Sequence, residues 1–351
     1  MTKEELLKGF DPNGPGSKDQ LFGLPFTPDT AELIIVPVPW EVTVSYKGGT
    51  VDGPQAILEA SSQVDLFQRD IIDAWKLGIA MLPIPDKIKE ESESMRSLAE
   101  QHIQLLEAGD GDGNKVLLSN VNTACENLVI YTRNTVKKYL DQNKMVGLLG
   151  GDHSTPLGFI QALAEKHSDF AILQIDAHAD LRKAYEGFTY SHASIMYNAL
   201  KIPAVSKLVQ VGIRDFCEEE QEVIDKSAGR ISVFFDEDIK QEQYNGATWI
   251  EICKQIVKTL PEKVYISFDI DGMDPKLCPN TGTPVPGGFE FHQITALLKT
   301  LNRSGKRIIG FDLNEVAPGT SDEWDANVGA RLLYQLCNAM AVSNGKLRYT
   351  D

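Results

Sequence analysis

Short apolar runs alternate with longer amphipathic stretches along most of this chain. Ala31–Pro39, Lys144–Leu149, Ala171–Ile175, Lys207–Ile213, Ile231–Phe235, Val264–Phe268 and Arg307–Leu313 are apolar runs of strand length. Their continuous rather than alternating character predicts strands buried on both faces. Between them the spacing predicts helices over 53–65, 121–141, 156–166, from near 191, 218–225, 247–260, 291–301 and 325–342. Pro54 suits a first helical turn. Strands alternating with helices predict an α/β fold of three layers, α-β-α, around a mainly parallel central sheet. Residues 1–30, rich in Gly, Pro and Asp, read as an N-terminal arm with irregular structure. No repeat or shift in composition marks a linker after that, so 31–351 is expected to form a single domain. Residues 86–115 are charged and helix-prone, with Gly109–Gly113 as a flexible acidic tip. That tip lacks the spacing and closing Glu of a calcium loop.

Three of the predicted strands end in the same way. Lys144–Leu149 runs into Gly150-Gly-Asp-His-Ser154, Ala171–Ile175 into Asp176-Ala-His-Ala-Asp180, and Val264–Phe268 into Asp269-Ile-Asp271 followed by Gly272. In a parallel sheet, ligands gather beyond the carboxyl ends of the strands. Asp176, His178 and Asp180 alternate, so an extended backbone points them to one side. Carboxylates and imidazoles converging there are costly to bury unless a cation pairs them. Asp152, His153, Asp176, His178, Asp180, Asp269 and Asp271 are too many ligands for one divalent ion and suit two.

Charge and cysteine usage narrow the partners. The 351 residues carry a formal net charge of −16, which argues against nucleic acid and anionic membrane surfaces. The five cysteines are scattered and lack metal or redox spacing, as expected of reduced thiols in a cytoplasmic protein. The opening Met1–Leu7 does not read as a signal peptide, so none is expected, and no apolar run approaches membrane-spanning length. The Gly-bearing loop Ser45–Thr50 lacks the Gly-Lys-Ser/Thr ending of a phosphate loop.

The three strand-end motifs, in order and in kind, resemble the metal motifs of the ureohydrolase family (arginase, agmatinase, formiminoglutamase), over roughly 31–340. The resemblance implies an arginase-like fold and two Mn²⁺ per chain. His153 and Asp180 would be terminal ligands of one ion, His178 and Asp271 of the other, with Asp176 and Asp269 bridging. Asp152 would support the site. Tyr190-Ser-His192 resembles the family loop whose histidine handles protons. Gly310-Phe-Asp-Leu-Asn-Glu315 resembles the strand end whose Glu grips the guanidinium, with Asp312 in structural support. Asp180, His192 and Glu315 are thus the expected catalytic residues. The implied reaction is hydrolysis of a guanidino compound to urea and an amine, and the implied assembly is a homo-trimer or hexamer.

Val38-Pro-Trp-Glu-Val-Thr-Val-Ser-Tyr46 and Gly53-Pro-Gln-Ala-Ile57 are similar to agmatinase segments, so agmatine leads as substrate. Gly212-Ile-Arg-Asp215 instead resembles the arginase segment whose Asp binds the α-amino group. Arg182 could pair a substrate carboxylate, which keeps arginine or another guanidino acid as the alternative. A non-catalytic metal-binding relative and a dinuclear metallophosphatase are the other classes. Intact ligands speak against the first, and the carboxylate-rich site against the second. His102 and His167 are expected on the surface, and His292 is given no role.

Overall fold

The computed structural model describes residues 1–109, 113–320 and 322–350. Its centre is one sheet of β1 (Leu33–Val38), β2 (Ile79–Met81), β3 (Met145–Gly150), β4 (Phe170–Ile175), β5 (Val205–Val211), β6 (Ile231–Phe234), β7 (Lys263–Asp269) and β8 (Arg307–Asn314). The order across the sheet is β2-β1-β3-β8-β7-β4-β5-β6, and every pairing is parallel. β3, β4 and β1 are buried at every residue, as helical layers on both faces require.

The helices are α1 (Lys3–Gly9), α2 (Gly53–Ser61), α3 (Asp86–Glu107), α4 (Lys115–Leu140), α5 (Leu157–Lys166), α6 (Ile195–Ala199), α7 (Glu218–Asp225), α8 (Asp236–Tyr244), α9 (Trp249–Lys258), α10 (Phe291–Arg303) and α11 (Trp324–Ser343). On one side α3 packs on α4, α4 on α5 and α5 on α6; on the other α2, α11, α10 and α9 pack in series.

Several elements differ from the expectation. The lead-in is not irregular throughout: α1 carries a capping box from Thr2 and Glu5, and Leu21, Phe22, Leu24 and Phe26 are buried in the same core as the sheet. β1 is shorter than the expected Ala31–Pro39 at both ends, and Pro37 lies inside it. β2 pairs only with Leu33–Ile35, so Pro37 withholds its missing N–H from no neighbour on that side. α4 starts six residues before Val121, because the Asn114 side chain accepts the N–H groups of Val116 and Leu117 at 3.0 and 3.2 Å. α8 was not foreseen: its sequence is polar almost all round, and only Asp236 and Ile239 are buried. The acidic tip at Asp110–Asp112 lies outside the described residues.

Candidate dinuclear metal centre

The expected residues meet because strand ends are forced together by backbone contacts. A Cβ on Gly151 would lie 2.1 Å from the Trp40 carbonyl oxygen, so only glycine lets the chain leaving β1 pass this close. Gly151 N–H donates to Val38 (3.0 Å) and Asp152 N–H to Trp40 (2.8 Å), which turns His153 inward. The end of β8 clasps the same turn: Glu315 N–H donates to the Gly151 carbonyl, and Glu315 Oε1 accepts from His153 N–H, both at 2.8 Å. Glu315 and Asp180 hold positive φ, +62° and +55°, which side chains other than glycine rarely adopt. Such conformations cluster at functional sites, where the surroundings enforce them.

Two groups of ligand atoms result, each within 4.8 Å: His153, Asp176 and Asp269, and Asp176, His178 and Asp271. Asp176 belongs to both. His153 Nδ1 lies 3.0 Å from Asp176 Oδ2, 3.1 Å from Asp180 Oδ2 and 3.3 Å from Asp269 Oδ2. His178 Nδ1 lies 2.9 Å from Asp271 Oδ2 and 3.6 Å from Asp176 Oδ1. The buried Nδ1 of His153 has no hydrogen-bond partner among the described residues. Its other nitrogen, Nε2, is 2.9 Å from Ser267 Oγ, whose hydroxyl donates to Asp312 Oδ1 at 3.1 Å. That chain keeps a proton on Nε2 and aims Nδ1 at three carboxylates; burial acts downward on this imidazole, but Asp176, Asp180 and Asp269 raise it well above its ordinary value. Metal-ligating histidines are oriented in this manner.

Electrostatics point the same way. Burial, then Asp269 and Asp152, raise the Glu315 carboxyl well above its ordinary range. Burial, then Asp271 and Asp176, do the same to Asp269. Burial and Asp176 push Asp180 up to about 7. For Asp176 burial also acts upward, but the His153 and His178 imidazoles together hold it low. Divalent cations would relieve the same repulsion. The donor set of oxygen and imidazole, without thiolate, therefore fits two hard or borderline ions.

One layer below, in register across four adjacent strands, lie Gln210, Gln174, Ser267 and Asp312, all fully buried. Gln210 donates to Gln174 (2.6 Å) and to the Ala179 carbonyl (2.7 Å); Gln174 donates to Asp176 Oδ2 (2.8 Å) and to the His178 carbonyl (3.2 Å). This row holds the loop that carries Asp176 and His178. Sequence reasoning passed over all of it except Asp312. The available signal was a lone polar residue inside each apolar run.

Above the ligands is a cavity of about 170 Å³ lined by His153, His178, Asp180, Asp269, Glu315 and His192, with Arg182, Asp215, Tyr185, Phe216, Ser45 and Thr283 toward its mouth. Burial, with the His178 and His153 imidazoles behind it, holds the His192 ring down to about 3, so it is neutral. Arg182 lies over the Tyr185 ring (5.0 Å) and 3.8 Å from Glu220, but its guanidinium makes no hydrogen bond among the described residues. Both Glu220 oxygens already accept backbone N–H groups, of Leu181 and Cys217. The Asp215 side chain is 67% exposed and 3.9 Å from His178 Nε2. Next to it, Arg214 donates to the carbonyls of Asp271 (2.6 Å), Met273 and Val285, and so fixes the loop after β7; sequence reasoning had not singled it out.

Other residues fall away from the centre. Asp152 accepts from Ser154 N–H and from Val42 N–H, bracing loops. In the Ser45–Thr50 loop, the N–H groups of Gly49 and Thr50 point at the buried Glu41 carboxylate, leaving them occupied from within. His292 is exposed and His167 partly so. His102, expected on the surface, is instead 1% exposed.

The geometry has counterparts among known proteins. An N(1)-aminopropylagmatine ureohydrolase of Thermus thermophilus is 31% identical over 331 residues, covering 93% of this chain and 97% of the relative. A Synechocystis protein of the same name is 29% identical, covering 90% and 91%. The solved agmatine ureohydrolase of Thermoplasma volcanium superposes with a TM-score of 0.70 at 23% identity, covering 98% of this chain and 99% of its own, a likeness of fold. The sequence model described as "Arginase family" matches residues 31–338, so with its eight parallel strands and paired carboxylate–imidazole groups this chain belongs to the arginase family.

Proposed function

We propose that this chain is a manganese-dependent ureohydrolase that cleaves an agmatine-like guanidino compound to urea and an amine, with agmatine to putrescine as the first candidate reaction. The observation that carries this reading is the pairing of two ligand groups sharing Asp176 with a buried carboxylate, Glu315, on the same cavity. Relatives named for agmatine and its aminopropyl derivative support a substrate of that kind.

His153, Asp176, Asp180, Asp269, His178 and Asp271 would hold two Mn²⁺. When bound, such ions lower the pKa of a water molecule and offset negative charge near the reacting carbon. The chain's own residues supply the rest. Glu315 accepts paired N–H bonds from the planar guanidinium and fixes the direction its carbon faces. Asp180 carries a proton to the departing amine nitrogen. His192 relays protons between cavity and solvent. Asp215, an exposed carboxylate at the cavity mouth, would attract the cationic far end of agmatine. A second reading, a guanidino acid, is favoured by the guanidinium of Arg182, whose donors are free of hydrogen bonds among the described residues.

We also infer a homo-trimer or hexamer, with 31–351 as one catalytic domain, working in the cytoplasm in polyamine metabolism. The protein loaded with Mn²⁺ and given agmatine, aminopropylagmatine, arginine and short guanidino acids should release urea, fastest from the agmatine type. Absence of urea from every compound would overturn the reading; preference for an acid would move the assignment to the second one.

A further inference from the structure

The loop between β4 and α6 brings Tyr185 to the cavity and then leads to His192. Its tip is a tight turn: Phe188 N–H donates to the Tyr185 carbonyl (2.8 Å) and Tyr185 N–H to the Phe188 carbonyl (3.2 Å). The two central residues, Glu186 and Gly187, have φ of +53° and +86°. That is the pattern of a type I′ turn, which favours Asn-Gly or Gly-Gly at its centre. Glycine answers it at 187, but a glutamate at 186 opposes it. The local sequence therefore does not hold this turn by itself.

What holds it comes from outside. His102 Nδ1 accepts from Asn114 N–H at 3.0 Å, so its proton sits on Nε2, which lies 3.0 Å from the Glu186 carbonyl and donates to it. The ring stands edge-on to Phe188 at 5.4 Å. From α4, Asn122 donates to the Gly187 carbonyl (3.3 Å) and accepts from Thr189 N–H (2.9 Å). Both nitrogens of a buried imidazole are thus spent on backbone, one anchoring it to α4 and the other gripping the strained turn. The Tyr185 ring that this turn presents lies under the Arg182 guanidinium and edge-on to His192 at 6.1 Å.

Resting on the ureohydrolase reading above, we propose that His102 is a positioning residue for substrate recognition: by fixing the Tyr185–Phe188 turn it sets the wall of the cavity that meets the far end of the guanidino compound. The metal ligands and Glu315 stand on elements that His102 does not touch, and His192 sits on a turn of its own, capped by the Ser191 side chain. Its loss should therefore act on KM and leave kcat and metal content nearly unchanged.

The test compares H102F, which keeps a flat ring beside Phe188 but loses both nitrogen bonds, with the double variant H102F/E186G, in which the turn is favoured locally. H102F should raise KM for the preferred guanidino compound on the order of tenfold, the scale of one lost buried hydrogen bond, and E186G should restore most of it. Hydrogen exchange at the Tyr185, Phe188 and Thr189 amides, read on metal-free protein, should speed up in H102F and slow again in the double variant. Should H102F not fold, H102Q measured in the same two ways takes its place. An unchanged KM and exchange rate in the folded variant, or a KM that E186G fails to recover, overturns the proposal. Wild-type protein that releases no urea at all would instead sink the ureohydrolase reading, and the exchange measurements would still decide whether His102 holds the turn.

Discussion

Replacing Glu315 by Gln isolates a single charge at the centre of the site. One oxygen of the carboxylate, Oε1, accepts the His153 N–H at 2.8 Å. The other, Oε2, lies on the side of Gly282, where an added Cβ would come within 3.2 Å. In E315Q the His153 N–H still needs an acceptor, so the amide oxygen takes the Oε1 position. The amide NH₂ must then occupy the Oε2 position and confront the N–H donors of the guanidinium. A charged acceptor is lost and a donor faces a donor. Truncating one side of a buried charged hydrogen bond costs about 2–5 kcal/mol, or roughly 30- to several-thousand-fold in kcat/KM. The assay is steady-state urea release from agmatine at saturating Mn²⁺, with metal content measured on the same preparation. Metal content should match the wild type, because Glu315 lies outside both ligand groups. Activity within a few-fold of wild type would refute the guanidinium role. Loss of metal along with activity would mean that Glu315 supports the ions instead.

Four further substitutions probe other layers of the site. S267A leaves the Nε2 proton of His153 without its partner, and affinity for Mn²⁺ in a chelator competition should fall about 10–100-fold; unaltered affinity would remove Ser267 and Asp312 from the support of that ring. G151A drives a methyl against the Trp40 carbonyl at 2.1 Å and should destabilise the fold by about 1–3 kcal/mol in urea unfolding, whereas a wild-type midpoint would show that the β1 exit can move aside. At the cavity mouth, D215N should weaken agmatine by about 0.2–1 kcal/mol, as befits an exposed pair, and R182A should weaken guanidino acids more than agmatine; the opposite ranking would reverse the roles given to these two residues.

The sheet and the candidate ligands were legible in the sequence for one shared reason. Strands buried on both faces read as continuous apolar runs, and the first ionisable residues after such a run must stand at its end. His153, Asp176, His178, Asp180, Asp269 and Asp271 were singled out in that way, and all but Asp180 fall in the two groups of atoms that could hold a metal. Gln174 and Gln210 were not, because one amide inside an apolar run looks incidental until strand register sets it beside its partner. Periodicity also failed for α8, whose helix buries only Asp236 and Ile239, and for β2, a strand of three residues. His102 sits in a highly charged helix, so it read as surface. Its ring is covered by the backbone of Gly113 and by the Glu186–Phe188 turn, segments 11 and 84–86 residues away by position in the chain. The Arg182–Asp215 contrast was visible, but the stacking of Arg182 on Tyr185 required the folded loop.

The order of strands has a consequence for how this protein is made. His153 follows β3 and Asp269 ends β7, yet those strands do not touch: β8, residues 307–314, lies between them. As the chain leaves the ribosome, both flanking strands are present long before the one that joins them. Until β8 inserts, each exposes an edge of unpaired backbone N–H and C=O groups, the template on which aggregation starts. Closing the sheet also demands contacts between distant parts of the chain, which slows folding. Nascent chains stopped before residue 307 should therefore bind no second ion cooperatively and should depend on chaperones, and a full-length chain should acquire its metal affinity in the last folding step.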